Sequence, residues 1–335
     1  MQSAKKWHIH LISVCISLIL GGSAWSAIDT PQGLGNKTIS PHTFQYLTIP
    51  GVDKNLLSLD IYPAQTKNAP VIIFVHGGGW IRGDKSRVHY KPSYFNNLGF
   101  TFVSVNYRLS PLFKTIQTAS SPVFDPERIK YPVHPSDVSA AYAWIQKNAD
   151  SLNVDPTRII LMGHSAGSGI VSLIATDPSF ITRAGGTFSH LRCTILLDGD
   201  AYDIAKKVSE KRNGRYTRNA LMYQNAFATP AENAVNDIWK KASAVNYVRP
   251  GLGSFFIVTQ GPSKRVNSNL DFQKQLNSYH IDTELLDVSR IYNHQQINHA
   301  IGDPKDNVIT PQLTRFLKTR VLHNTDNITS QNNHN

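Results

Sequence analysis

The chain predicts an α/β class fold: a mostly parallel, doubly wound sheet with an antiparallel hairpin at its N-terminal edge and a small lid. Two observations carry this expectation. Continuous apolar, β-branched runs such as Val71–Val75 and Arg158–Met162 have the pattern of strands buried on both faces. Helical-period segments separate those runs, as a parallel sheet with crossover helices requires.

Each element follows in order. Phe44–Ile49 and Leu56–Tyr62 are short alternating runs around the Gly51–Asn55 turn, which predicts the hairpin. Val71–Val75 and Phe100–Val105 are buried strands, and residues 112–131 form an irregular connection. A helix is expected from Ser136 to about Ala149, with Val138, Ala141, Trp144 and Ile145 on its apolar face. The strand ending at Met162 is followed by a helix over Ser168–Ala175. His190–Leu197 and Ser254–Thr259 are further strands, separated by a mixed polar stretch, 204–250, expected to form the lid. A polar helix from about Asn269 to Tyr279, a short strand Thr283–Val288 and a helix from about Pro311 to Leu322 complete the domain.

The ends are of a different kind. Lys5 and Lys6 precede an apolar run from Ile9 to Leu20, and Gly21–Ser26 supplies small residues. That pattern predicts a secretory signal peptide cleaved after Ser26, and a secreted or periplasmic protein. The apolar run is shorter than the roughly 20 residues a membrane span needs. The expected organisation is therefore a signal peptide over 1–26, one domain over 27–322 and a disordered Asn-rich tail over 323–335.

Composition narrows the function classes. With 335 residues, 41% hydrophobic and 17% charged, the chain suits one large domain. Cleavage removes Lys5, Lys6 and Cys15, so the formal charge of +11 falls by two to +9 and Cys193 stands alone. No intrachain disulfide is then available, and Cys193, in an apolar run, is expected to be a small core residue. The basic residues are scattered rather than clustered. No helix-turn-helix pattern, zinc-ligand spacing or RNA-binding aromatic signature is present, so no nucleic-acid partner and no metal are expected.

Chemistry concentrates in two glycine-bearing turns. Gly163-His164-Ser165-Ala166-Gly167 joins a strand to a helix with the spacing of a nucleophile elbow, which lifts the Ser165 hydroxyl clear of the sheet. His76-Gly77-Gly78-Gly79-Trp80 ends the first buried strand and leaves backbone N–H groups free to approach a ligand. It has neither the Lys-Ser/Thr ending of a P-loop nor the spacing of a dinucleotide fingerprint.

Together these turns, with Asn106-Tyr107-Arg108-Leu109-Ser110-Pro111 and Asp155-Pro156-Thr157-Arg158-Ile159, resemble the α/β-hydrolase superfamily. Within it the chain is similar to the esterase branch of hormone-sensitive-lipase-like and feruloyl-esterase-like hydrolases, over roughly residues 45–320. The resemblance implies an α/β-hydrolase fold and a serine esterase without cofactors, acting on a small-molecule ester. It implies an oxyanion hole from the N–H groups of Gly77, Gly78 and Ala166. It also implies a base at a histidine after the last strand: His294, with His299 as the alternative. His76 and His164 are expected to shape the pocket, and His89 and His134 to be surface or core residues. The acid departs from the pattern. The turn after Ser254–Thr259, Gln260-Gly261-Pro262-Ser263-Lys264-Arg265-Val266, holds no carboxylate. Asp198, at the end of the preceding strand, is the choice made here, with Asp200, Asp271 and a Ser–His dyad as alternatives. Two rival functions are an amide or formamide hydrolase on the same scaffold and a catalytically silent binding protein.

Overall fold

The computed structural model describes residues 40–111 and 123–322. The leader-like segment 1–26, part of the 112–131 connection and the tail 323–335 lie outside the described residues. Eight strands form the main sheet: β1 (His42–Gln45), β2 (Ser58–Tyr62), β3 (Ala69–Val75), β4 (Thr101–Val105), β5 (Val154–His164), β6 (Leu191–Leu197), β9 (Ser254–Thr259) and β10 (Thr283–Asp287). A separate two-stranded ribbon, β7 (Lys211–Arg212) and β8 (Arg215–Tyr216), sits in the lid stretch. The order across the main sheet is β1-β2-β4-β3-β5-β6-β9-β10. Only the β1–β2 and β2–β4 pairings are antiparallel; from β4 to β10 every pairing is parallel.

The apolar runs are continuous because both faces of the sheet are covered. Val71, Ile73 and Val75 pack into one core with Ile159 and Leu161, beneath the helices Val133–Lys147, Ala166–Thr176 and Ser263–Ser278. Ile72 and Phe74 point the other way, with Phe102, Ile160 and Met162, against Phe95, Ile297 and Phe316 of three further helices. Successive residues of one strand thus feed two hydrophobic layers, each side chain contributing roughly 1.5–3 kcal/mol when fully buried. Cys193 is buried in the second layer and unpaired.

Most predicted elements stand within a few residues of their expected bounds. The polar helix expected from Asn269 begins instead at Ser263, directly after Pro262. Proline suits a helix start, having no N–H to leave unpaired. The first turn, Ser263–Val266, is polar because it borders a cleft, so it carries no amphipathic period to read. The 204–250 stretch folds into short helices, among them Arg218–Ala226, which lies over the same cleft.

From β3 the chain moves outward to β4 and then returns to the other side of β3 for β5. Such a reversal opens a crevice at the C-terminal ends of the strands. The elbow is built there by close approach. A Cβ on Gly163 would stand 2.4 Å from the Gly167 carbonyl, and one on Gly167 would stand 2.2 Å from the Val75 carbonyl oxygen. Both obstacles are backbone and cannot rotate away. Gly167→Ala is therefore expected to destabilise the fold by about 1–3 kcal/mol, the usual range for overpacking. The check is the urea midpoint, and an unchanged midpoint would contradict this packing.

Candidate active site

Ser165 sits between β5 and the helix Ala166–Thr176 with φ 56° and ψ −118°, outside the regions a side-chain-bearing residue ordinarily occupies. Its N–H is held by the Leu197 carbonyl at 2.9 Å, which ties the elbow to the end of β6. Ala166 opens the helix, so its N–H has no acceptor within it. Gly77 packs directly on the serine: a Cβ there would meet the Ser165 Cβ at 2.9 Å and the His164 carbonyl at 2.8 Å. Among the described residues, no turn or loop backbone hydrogen bond uses the N–H of Gly77 or Gly78. The glycine turn at Gly77 and the helix start at Ala166 therefore adjoin Ser165.

His76 braces the glycine turn. Its Nδ1 lies 2.8 Å from the Gly77 carbonyl, its ring stacks on Tyr107 at 4.6 Å, and the Tyr107 hydroxyl donates to the His76 carbonyl at 3.1 Å. Burial pushes the His76 imidazole below its ordinary range.

His294 begins the helix His294–Ala300, whose start is fixed by a capping box. The Asn293 side chain accepts from the N–H groups of Gln295 and Gln296, and the Gln296 side chain accepts from the Asn293 N–H. His294 Nδ1 lies 2.5 Å from Asp198 Oδ2. That imidazole nitrogen carries the proton toward the carboxylate, which leaves Nε2 as the basic one. Among the described residues no hydrogen bond engages the Ser165 hydroxyl. His299, the alternative base, packs against His89 with the rings tilted by 41° and 3.8 Å between centres, and has no carboxylate partner among the described residues.

Asp198 is the centre of a dense network. Its side chain is 0% exposed. Oδ2 accepts from His294 Nδ1, from Gln260 Nε2 at 2.8 Å and from the Arg265 guanidinium at 3.0 Å, while Oδ1 accepts from the Gln260 N–H at 3.0 Å. Burial alone would raise its carboxyl, but the His294 bond, the Arg265 charge and the Gln260 bond outweigh it and hold the group below the ordinary carboxylate range. The other two candidate acids are elsewhere engaged or distant. Asp200 accepts from Lys207 at 2.6 Å and from the Tyr223 hydroxyl at 2.9 Å, and Asp271 is exposed along the helix Ser263–Ser278. Gln260 and Arg265 have no assigned role in the sequence reading; their signal there is a turn that offers an amide, a lysine and an arginine where a carboxylate is expected.

A second serine–histidine contact, Ser110 Oγ to His134 Nε2 at 2.8 Å, has a different character. Ser110 gives its single proton to the Ile129 carbonyl, so it must accept from His134. Both residues are buried and burial lowers the His134 imidazole to about 3. This pair ties the segment after β4 to the first turn of the helix Val133–Lys147 and leaves the Ser110 hydroxyl without a base.

The helix bearing His294 is gripped at both ends. His164 Nε2 donates to the His294 carbonyl at 3.0 Å, and its ring lies 4.7 Å from that of His294. Burial, then the neighbouring His294, lowers the His164 imidazole to about 3, which keeps it neutral. At the far end the fully buried Lys91 Nζ donates to the Asn298 carbonyl at 2.5 Å, above the Phe74 ring. Burial lowers Lys91 to about 7.

Ser165 opens onto a cleft of about 790 Å³, bordered by Asp198 and walled by the helix Ser263–Ser278 and the lid helix Arg218–Ala226. No group of His, Cys, Asp and Glu side chains among the described residues is arranged to hold a metal ion.

An elbow serine, a glycine turn and a histidine–carboxylate pair at the C-terminal edge of this sheet define the α/β-hydrolase class. The BD-FAE family matches residues 59–270, and the chain belongs to that family. Esterase LipQ of Mycobacterium tuberculosis is 34% identical over 217 residues, covering 62% of this chain and 46% of that protein. Carboxylesterase NlhH of the same species is 33% identical over 115 residues, 34% of this chain and 31% of its own. The chain thus spans less than half the length of these relatives. Thermogutta terrifontis esterase 2 superposes with a TM-score of 0.59 at 20% identity, over 84% of this chain and 94% of that one, and shares the fold.

Lys91 gives a signed pH test. Its folded value near 7 lies below the ordinary 10.5, so between those values the unfolded chain binds the extra proton and stability rises with pH. Wild type is expected to gain stability over Lys91→Met between pH 7 and about pH 10, read as urea midpoints. Parallel midpoints for the two proteins would contradict the buried, uncompensated amine.

Proposed function

We propose that this protein is a serine esterase that cleaves small-molecule carboxylic esters through an acyl-enzyme on Ser165. The observation that carries the reading is the 2.5 Å contact between His294 Nδ1 and the fully buried Asp198, at the sheet edge where the elbow presents Ser165. His294 Nε2 takes the serine proton as Ser165 Oγ attacks the ester carbonyl. The tetrahedral oxyanion is received by the N–H groups of Gly77, Gly78 and Ala166. His294 then protonates the leaving alcohol, and water repeats the sequence on the acyl-enzyme. Asp198 holds the imidazole in the tautomer that leaves Nε2 basic and stabilises the imidazolium that forms. LipQ and NlhH, an esterase and a carboxylesterase by name, support this activity class.

The reading extends to location. The charged start, apolar core and small-residue exit of residues 1–26 support export by a cleaved signal peptide. No helix among the described residues is long and apolar enough to cross a membrane.

Hydrolysis of p-nitrophenyl acetate tests the assignment. Ser165→Ala is expected to lower kcat by about 10⁶ and to abolish labelling by a fluorophosphonate probe. Asp198→Asn is expected to cost about 10⁴ in kcat, while Asp200→Asn and Asp271→Asn stay within a few fold. Unlabelled wild type, or full activity in Asp198→Asn, would sink the assignment.

A further inference from the structure

The charge arrangement around Asp198 holds more than a triad requires. Arg265 presents one guanidinium nitrogen to Asp198 at 3.0 Å, and that same nitrogen lies 3.4 Å from His294 Nδ1. Arginine and histidine therefore share one oxygen of one carboxylate. In the resting site the buried Asp198 and the partly exposed Arg265 offset each other beside the His294 ring. Once His294 accepts the serine proton, two cations face a single anion. Arg265 then opposes the charge the reaction must create.

Arg265 also faces outward. Its side chain is 26% exposed where Asp198 is 0%, and it lines the cleft that contains Ser165. Among the described residues, its Nε and second terminal nitrogen make no hydrogen bond, which leaves one edge of the guanidinium fork unengaged. The other cleft cations differ. Lys207 is paired with Asp200 at 2.6 Å, Lys264 with Glu210 at 2.7 Å and Lys206 with Asp203 at 3.3 Å. Each has an acid of its own, whereas among the described residues the only acid paired with Arg265 is the one His294 needs. Asp271, the lining acid without such a cation, lies six residues along the same helix, about 9 Å further on.

From this we infer that Arg265 recognises a carboxylate on the substrate, and that the enzyme prefers esters bearing a carboxylate a few bonds from the scissile carbonyl. Resting on the esterase reading, this names its substrate class. A substrate carboxylate on the open edge of Arg265 neutralises the guanidinium by a charge-assisted contact. Asp198 is then released to serve the imidazolium. The substrate's own charge thereby improves the chemical step as well as binding, so the preference appears in kcat and in KM. The reaction is ordinary ester hydrolysis, with the carboxylate leaving unchanged on one product.

The test pairs each anionic ester with a neutral counterpart of matched length, followed by acid release at constant pH. Monomethyl glutarate against methyl pentanoate places the charge on the acyl side; 4-acetoxybutanoate against butyl acetate places it on the alcohol side. In wild type at low salt, kcat/KM is expected to favour the anionic member at least tenfold in one pair. That ratio should fall several-fold between 20 and 500 mM NaCl through screening (about a 20 to 4 Å change in Debye length). Arg265→Met should bring it to about one, and Arg265→Lys, which keeps the charge without the fork, should retain part of it. A wild-type ratio at or below one in both pairs overturns the inference. So does a ratio that survives in Arg265→Met, or one that stays fixed while both rates fall together, the signature of a purely structural arginine. Should Arg265→Met fail to fold, the salt series and Arg265→Lys decide alone. Absence of turnover on all four esters, with Ser165 unlabelled by a fluorophosphonate, would instead defeat the esterase reading itself.

Discussion

Everything at the C-terminal edge of the sheet depends on keeping one carboxylate charged in a dry place. Asp198 is removed from water, and stripping a carboxylate of its hydration costs several kcal/mol even after the surroundings relax. The chain recovers that cost with four hydrogen bonds drawn from two separate segments: Gln260 and Arg265 in the turn and helix start that follow β9, and His294 at the start of its own helix. Segments far apart in sequence are thereby held together by a single anion. Removing any donor would leave the carboxylate under-satisfied, so the segments are mutually dependent.

The sheet supplies the platform on which this is possible. Parallel strands deliver β3, β5, β6, β9 and β10 to one edge, and the turns that follow bring Gly77, Ser165, Asp198, Gln260 and His294 there. Position alone does not make a base or a donor. The glycine contact against Ser165, the Asn293 capping box and the grips of His164 and Lys91 on the His294 helix set orientation. His164 and Lys91 are buried, and orientation is what a catalytic constellation must have before substrate arrives.

How much of this was legible in the sequence follows from how local each signal is. The elbow and the glycine turn are encoded in five consecutive residues apiece, because glycine is demanded wherever backbone passes backbone, as Gly167 passes Val75. The strands are legible because burial on both faces writes an unbroken apolar run. The carboxylate partner of His294 is not local. Asp198 is 96 residues away, and only its place directly at the strand end sets it apart locally from Asp200; in the structure Lys207 and Tyr223 claim Asp200. Lys91 was opaque for the same reason, since its acceptor at Asn298 is 207 residues distant. The early start of the helix at Ser263 was hidden by a first turn that faces a polar cleft instead of the core.

The central claim is that Ser165, His294 and Asp198 act as one unit at this edge, and a crystal structure of the protein after reaction with a phosphonate ester tests it most directly. The expected adduct has phosphorus bonded to Ser165 Oγ and the phosphonyl oxygen about 2.7–3.1 Å from the N–H groups of Gly77, Gly78 and Ala166. Asp198 should remain on His294 Nδ1. An adduct on another residue, a phosphonyl oxygen turned to solvent, or His294 paired with Asp200 or Asp271 would contradict the account.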